Sequence, residues 1–89
     1  MSYKILFSKE AVRGLKLLAQ KKALLKNAEE LIEVLKADPY RNPPPYEKLV
    51  GDLTGCYSRR INIQHRLVYT VDENMKEVVI HSVWTHYEF

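Results

Sequence analysis

All four prolines of this 89-residue chain fall between Pro39 and Pro45, and that cluster divides what the chain can become. Proline lacks the amide proton that helices and sheets use, and it pushes the residue before it out of the helical region. Asp38-Pro39 must therefore end any helix that reaches it, and Pro39-Tyr40-Arg41-Asn42-Pro43-Pro44-Pro45 must run as an extended loop. The stretch is too short to link two domains in a chain of this length, so residues 1–89 read as one domain.

Upstream of the prolines the apolar residues recur mostly at helical spacing. Tyr3-Lys4-Ile5-Leu6-Phe7 alternates as a short first strand, and Ser8 is suited to cap the helix that follows. Glu10 puts a negative charge in its first turn, where the helix dipole favours one. Ala11, Val12, Leu15, Leu18 and Ala19 form its apolar stripe. Gly14 costs that helix about 1 kcal/mol relative to alanine. After little more than Lys21 and Lys22, a second helix presents Leu24, Leu25, Ala28, Leu31, Ile32 and Leu35 on one broad face. Lys26, Asn27, Glu30 and Glu33 occupy the other face, and the two helices should form a hairpin or a bent pair.

Downstream the period changes to two. Residues 55–62, 65–71 and 77–85 read as a meander, with turns at Ile63-Gln64 and at Asp72-Glu73-Asn74. In its middle strand Leu67, Tyr69 and Val71 share a face with the composition of a core, while Arg66, Val68 and Thr70 share the other. The fold class is therefore α+β, of order β-α-α-β-β-β, with two helices packed on one face of a twisted, mainly antiparallel sheet. The opposite face should collect Arg66 and some of Arg59, Arg60 and His86.

Composition narrows the function classes. The single cysteine, Cys56, excludes an internal disulfide and a multi-cysteine metal site. Residues 1–8 lack the apolar stretch of a signal peptide, and no window approaches a membrane span, so a cytoplasmic protein with no membrane partner is expected. A net charge of +3 favours a polyanionic partner only weakly. Lys9, Arg13 and Lys16, with Lys22 and Lys26, make a basic helical stripe that reads equally as a solvated face or as a footprint for a polyanion.

Four polar residues stand out by type: Glu47 on the loop before the meander, and Arg60, Arg66 and His86 on its strands. Cutting RNA without a metal needs a base for the 2′-hydroxyl proton, a cation for the phosphorane and an acid for the leaving 5′-oxygen. A carboxylate, arginines and a histidine supply those roles: arginine's fork matches phosphate oxygens, and histidine titrates near neutrality. Structural readings stand beside these. Glu47 could be a solvated loop acid, Arg60 and Arg66 ion-pair partners on the sheet, His86 a surface histidine, and Tyr87 a cover for the end of the sheet. His65 after a turn, and His81 on the opposite strand parity from His86, read as structural. Cys56 reads as a small buried or half-buried residue with no base beside it.

Three motifs in order carry a family resemblance. Glu47-Lys48-Leu49-Val50-Gly51-Asp52 leads into Leu53-Thr54-Gly55-Cys56-Tyr57-Ser58-Arg59-Arg60-Ile61, then come His65-Arg66-Leu67-Val68-Tyr69 and finally His86-Tyr87. Together they resemble the YoeB/Txe branch of the RelE superfamily, over nearly the whole chain. The resemblance implies a RelE-like (microbial RNase-like) fold and the toxin of a type II toxin–antitoxin pair. Such a toxin is an mRNA interferase that cuts codons in the ribosomal A site, with no metal and no cofactor. By the same resemblance Glu47 is the general base, His86 the general acid and Arg66 the stabiliser of the scissile phosphate. Arg60 and Arg59 would contact substrate, and Tyr87 would orient or stack on a nucleotide. The implied partners are an antitoxin of the YefM/Axe kind, the ribosome with its RNA and mRNA, and a second copy of the chain. Trp84 stands where the family often has a basic residue, and its indole could stack on a base instead. Two other classes share such a fold or ancestry: ParE-like gyrase inhibitors and non-catalytic RNA-binding modules. Neither needs Glu47 together with His86.

Overall fold

Ser8 begins the helical layer and fastens it to the sheet. Its hydroxyl accepts the Ala11 amide at 3.0 Å and donates to the His81 carbonyl at 2.8 Å. In the computed structural model, which describes residues 2–83, the capped helix is α1 (Lys9–Leu18), preceded by β1 (Lys4–Phe7). Then come α2 (Lys22–Ala37), β2 (Glu47–Lys48), a 3₁₀ turn at Gly51–Leu53, β3 (Tyr57–Arg60), β4 (Arg66–Asp72) and β5 (Glu77–Ser82). Among the described residues, no helix is long and apolar enough to cross a membrane.

The buried face of α2 is the expected one: Leu24, Ala28, Leu31, Ile32 and Leu35 are buried and Leu25 is half-buried. On α1 the face is rotated from expectation. Ala11, Gly14 and Leu18 are buried, Leu15 is half-buried, and Val12 and Ala19 are exposed, so the contact centres on the small residues Ala11 and Gly14. The end of α2 is tied back by the Tyr3 amide, which donates to the Lys36 carbonyl at 2.8 Å and so satisfies a group the helix cannot. The Asp38 carboxylate then accepts the Tyr40 amide at 2.9 Å, turning the chain into the proline loop.

The five strands lie in the order β1-β5-β4-β3-β2. All neighbours are antiparallel except β1 and β5, which run parallel. The sheet has one strand more than expected after the helices, because Glu47 and Lys48 leave the loop to pair with Ser58 and Tyr57. The first meander strand is also shorter than expected, while the middle one keeps its length, shifted by one residue. Beyond Arg60 the amides of Ile61 and Asn62 turn to the His65 carbonyl at 2.8 and 3.2 Å. The Asn62 side chain accepts the amides of Gln64 and His65 at 2.8 and 2.7 Å, which closes the turn. One irregularity interrupts β5: Tyr69 faces Ile80 while Val68 faces Ser82, leaving His81 as an extra residue in a β-bulge. Residues 84 and 85 of the expected last strand lie outside the described residues.

The core forms where the α2 stripe meets Leu67 and Tyr69 of β4 and Val78 and Ile80 of β5, with Ala11 and Leu18 of α1 completing it. Each large aliphatic side chain fully buried there contributes roughly 1.5–3 kcal/mol. The helices therefore cover one face of the sheet, and the other carries Ser58, Arg60, Arg66 and Thr70 beside the buried Val68.

Candidate active site

Cross-strand register assembles the site. Glu47 lies opposite Ser58, Ser58 opposite Val68, and Arg60 opposite Arg66. Tyr57 packs against the helix-side core and Arg59 pairs across from Leu67 of that core, so alternation turns Ser58 and Arg60 to the other face. Glu47, Ser58, Arg60 and Arg66, with Pro45 at the rim, line one pocket of about 230 Å³.

Inside it, Arg66 Nη1 approaches Glu47 Oε2 to 3.5 Å, with the two side chains 27% and 63% exposed. That distance is longer than a charge-assisted hydrogen bond of about 2.8 Å, and so exposed a pair contributes at most about 1 kcal/mol. The two groups are thus adjacent but free to change partners. Arg60 stands directly across from Arg66, exposed, and pairs with no carboxylate among the described residues. Like charges facing each other across strands are destabilising. Two guanidinium groups beside one carboxylate leave a net positive pocket that suits a phosphodiester, whose oxygens match the guanidinium fork. Ser58 lies within this face with its hydroxyl buried and without a hydrogen-bond partner among the described residues.

Arg59, expected on the substrate, is elsewhere. It is fully buried on the helix side of β3. Its Nε donates to the Tyr69 hydroxyl at 3.2 Å and its Nη1 to the Pro44 carbonyl at 2.6 Å. Its Nη2 donates to the carbonyls of Pro39 and Arg41 at 3.0 and 2.9 Å. The guanidinium also sits 5.0 Å from the Tyr46 ring centre. Arg59 therefore fixes the course of the proline loop, and through the loop it sets where β2 and Glu47 meet β3. Tyr40, Tyr46, Tyr57 and Tyr69 pack around the same loop, with ring centres 5.5–6.5 Å apart. Burial raises the Tyr69 hydroxyl above its ordinary pKa, a shift the Arg59 charge opposes, so Tyr69 stays a neutral partner for Arg59.

Expected His86 and Tyr87 lie outside the described residues. His81 meets the Thr70 hydroxyl at 2.8 Å, and His65 is buried beside the β3–β4 turn, in keeping with their structural reading. Cys56 is half-buried. Lys9, Arg13 and Lys16 line a shallow groove with Phe7 and Val12, distinct from the Glu47 pocket. A larger groove of about 360 Å³ runs between α2 and the end of β3 and shares Arg60 as a wall. Its lining includes Leu31, Val34, Pro44 and Ile61, and the pairing of carboxylate with guanidinium is in the smaller pocket. Among the described residues, no group of three or more His, Cys, Asp or Glu is arranged to hold a metal ion. Ser58 is the pocket residue that sequence reasoning passed over; its alternation with Arg60 is the signal that puts it on the same face.

Comparison with known proteins agrees with this architecture. The profile of a family described as "YoeB-like toxin of bacterial type II toxin-antitoxin system" matches residues 7–87. The chain is 40% identical over 67 residues to Toxin YoeB of Synechocystis, covering 75% of this chain and 76% of that one. A YoeB/ParE toxin from Agrobacterium tumefaciens superposes with a TM-score of 0.86 at 25% identity, covering 94% of this chain and 99% of the other. YoeB of Staphylococcus aureus, solved in a heterotetrameric complex with YefM, superposes with a TM-score of 0.81 at 39% identity, covering 98% and 100%. The S. aureus protein has also been solved as a dimer.

Proposed function

Because the chain belongs to the YoeB-like toxins of bacterial type II toxin–antitoxin systems, we propose that it is a ribosome-dependent endoribonuclease that cuts mRNA in the ribosomal A site and so arrests translation. The observation that carries this reading is the Glu47–Arg66 approach of 3.5 Å in a pocket that also holds Arg60. The arrangement supplies a base and two cations around a pocket of about 230 Å³, large enough to admit a phosphodiester.

In the proposed reaction the Glu47 carboxylate takes the proton of the ribose 2′-hydroxyl, and the 2′-oxygen attacks the adjacent phosphorus. Arg66, with Arg60 assisting, neutralises the charge that grows on the phosphorane oxygens. His86 gives a proton to the departing 5′-oxygen, and Tyr87 orients a nucleotide. The products are a 2′,3′-cyclic phosphate, open to later hydrolysis to a 3′-phosphate, and a 5′-hydroxyl end. No metal or cofactor enters. The antitoxin would be a YefM-like protein, by analogy with the S. aureus complex, and the same relative's dimer supports a homodimer. The site of action would be the cytoplasm, where the ribosomes are.

The test is a cell-free translation reaction in which mRNA 5′ ends are mapped with and without ribosomes. Wild type should cut at A-site codons only when ribosomes are present. Glu47→Ala and His86→Ala should each lower the rate by about 10²–10⁴-fold. Arg66→Ala should lower it by about 10²–10³-fold. Intact mRNA in the presence of wild-type protein and ribosomes would refute the proposal and turn attention to DNA gyrase.

A further inference from the structure

Ser58 presents a polar group that no other described residue uses. The residue is 2% exposed, and its Oγ has no hydrogen-bond partner among the described residues. A buried hydroxyl without a partner is costly, and alanine would fill nearly the same space with nothing to satisfy. Such an atom calls for a role. Its surroundings supply one. Ser58 is the direct cross-strand neighbour of Glu47, and both line the pocket with Arg60 and Arg66. Side chains directly opposite on antiparallel strands have Cβ atoms about 5 Å apart, within reach of a hydroxyl and a glutamate carboxylate.

We propose that Ser58 is a positioning residue for Glu47, engaged by an exchange of partners when RNA enters. This rests on the reading of the pocket as an RNA-cutting site. In the resting protein Glu47 leans on Arg66 at 3.5 Å. A scissile phosphate competes for the same guanidinium, and a phosphodiester held by both arginines draws Arg66 away from the carboxylate. Glu47 lies on a two-residue edge strand with its side chain largely in solvent, so little else restrains it. The Ser58 hydroxyl can rotate, and it donates its proton to the released carboxylate. That bond holds the base toward the 2′-hydroxyl while leaving its other lone pairs free to accept the proton. No bond is made or broken by Ser58 itself.

The experiment compares wild type, Ser58→Ala and Ser58→Thr in the ribosome-dependent cleavage assay, with kcat and KM determined separately and Tm measured on each free protein. Loss of a hydrogen bond to a charged group predicts that Ser58→Ala lowers kcat by roughly ten- to a hundredfold. KM should stay within about twofold, because the arginines that hold the phosphate are untouched. Tm should stay level or rise, since an unsatisfied hydroxyl is removed. Ser58→Thr, which keeps the hydroxyl, should recover most of the lost kcat. A Ser58→Ala protein that cuts at the wild-type rate overturns the inference. So does a loss of rate that comes with a matching fall in Tm and that threonine does not restore. Wild type that leaves mRNA intact overturns the cleavage reading itself, and this inference with it.

Discussion

Arg59 carries a charge into the interior where no carboxylate among the described residues meets it. What compensates is a cage of three loop carbonyls, the Tyr69 hydroxyl and the face of Tyr46. Only a planar fork reaches all of these at once, so lysine is no substitute. Arg59→Lys should lower unfolding stability by about 2–4 kcal/mol, because carbonyls of Pro39, Arg41 and Pro44 lose their donor while a buried charge remains. Equilibrium urea unfolding measures it, and a loss below about 0.5 kcal/mol would contradict the cage as described. Gly55 poses a different constraint. Its φ is +97°, yet a Cβ built there would meet nothing within 4 Å. The cost of Gly55→Ala is therefore backbone strain alone, about 1–2 kcal/mol, and the same urea experiment reads it.

At the scale of elements, α2 was legible because its own apolar spacing specifies both helix and face, and Ser8 because capping is local chemistry. Strand β2 was not, since a two-residue strand exists only through its partner, and its sequence holds no alternation to read. The β5 bulge was hidden for the same reason: it is a property of pairing, and it breaks any parity counted along the chain past His81. Register also decides between Arg59 and Arg60. The sequence says that adjacent residues face opposite ways, but only the pairing of Arg60 with Arg66 says which one enters the pocket. The RelE-like α+β fold was thus readable as a class, and the pocket's charged residues as a set, without their exact neighbours. Two predictions belong here. Ser8→Ala should cost about 1–2 kcal/mol, and Ser8→Asp should restore the cap but not the donation to His81, recovering only part in thermal unfolding. The β4–β5 turn should respond to acid. Glu73 accepts from Lys76 at 2.8 Å and from the Tyr3 hydroxyl at 2.9 Å, and these bonds, Lys76 first, hold its carboxyl below the ordinary 4.5. A depressed folded pKa gives stability that is complete above about pH 4.5 and fades as pH falls through the folded value. Tm followed against pH should therefore drop less steeply on the acid side in Glu73→Gln than in wild type, and parallel curves would refute the assignment.

For the whole molecule, the sheet divides the labour: one face is sealed by helices, and on the other the pocket gathers two arginines around one carboxylate among the described residues. The net charge of +3 is modest, so under the proposed function attraction to RNA would come from where charges are concentrated rather than from their sum. This gives Glu47 two opposed effects. As the proposed base it would be required for cutting, but as the partner of Arg66 it would compete with the phosphate it is proposed to act upon. Removing its charge should thus weaken catalysis and strengthen binding together. With a short RNA carrying a 2′-deoxy sugar at the cut site, Glu47→Gln should bind about two- to fivefold more tightly than wild type, the range set by an exposed ion pair. Arg60→Gln should bind more weakly, and the slope of log K against log salt should shrink by about 0.7, the share of one phosphate on a single strand. Fluorescence anisotropy over a salt series measures both quantities. If Glu47→Gln binds no better than wild type, the carboxylate does not hold Arg66 back from phosphate, and the resting pair is only a crossing of exposed side chains. If the salt slope is unchanged in Arg60→Gln, Arg60 does not sit on a phosphate, and the positive charge that receives RNA must be sought on the Lys9–Arg13–Lys16 face of α1 instead.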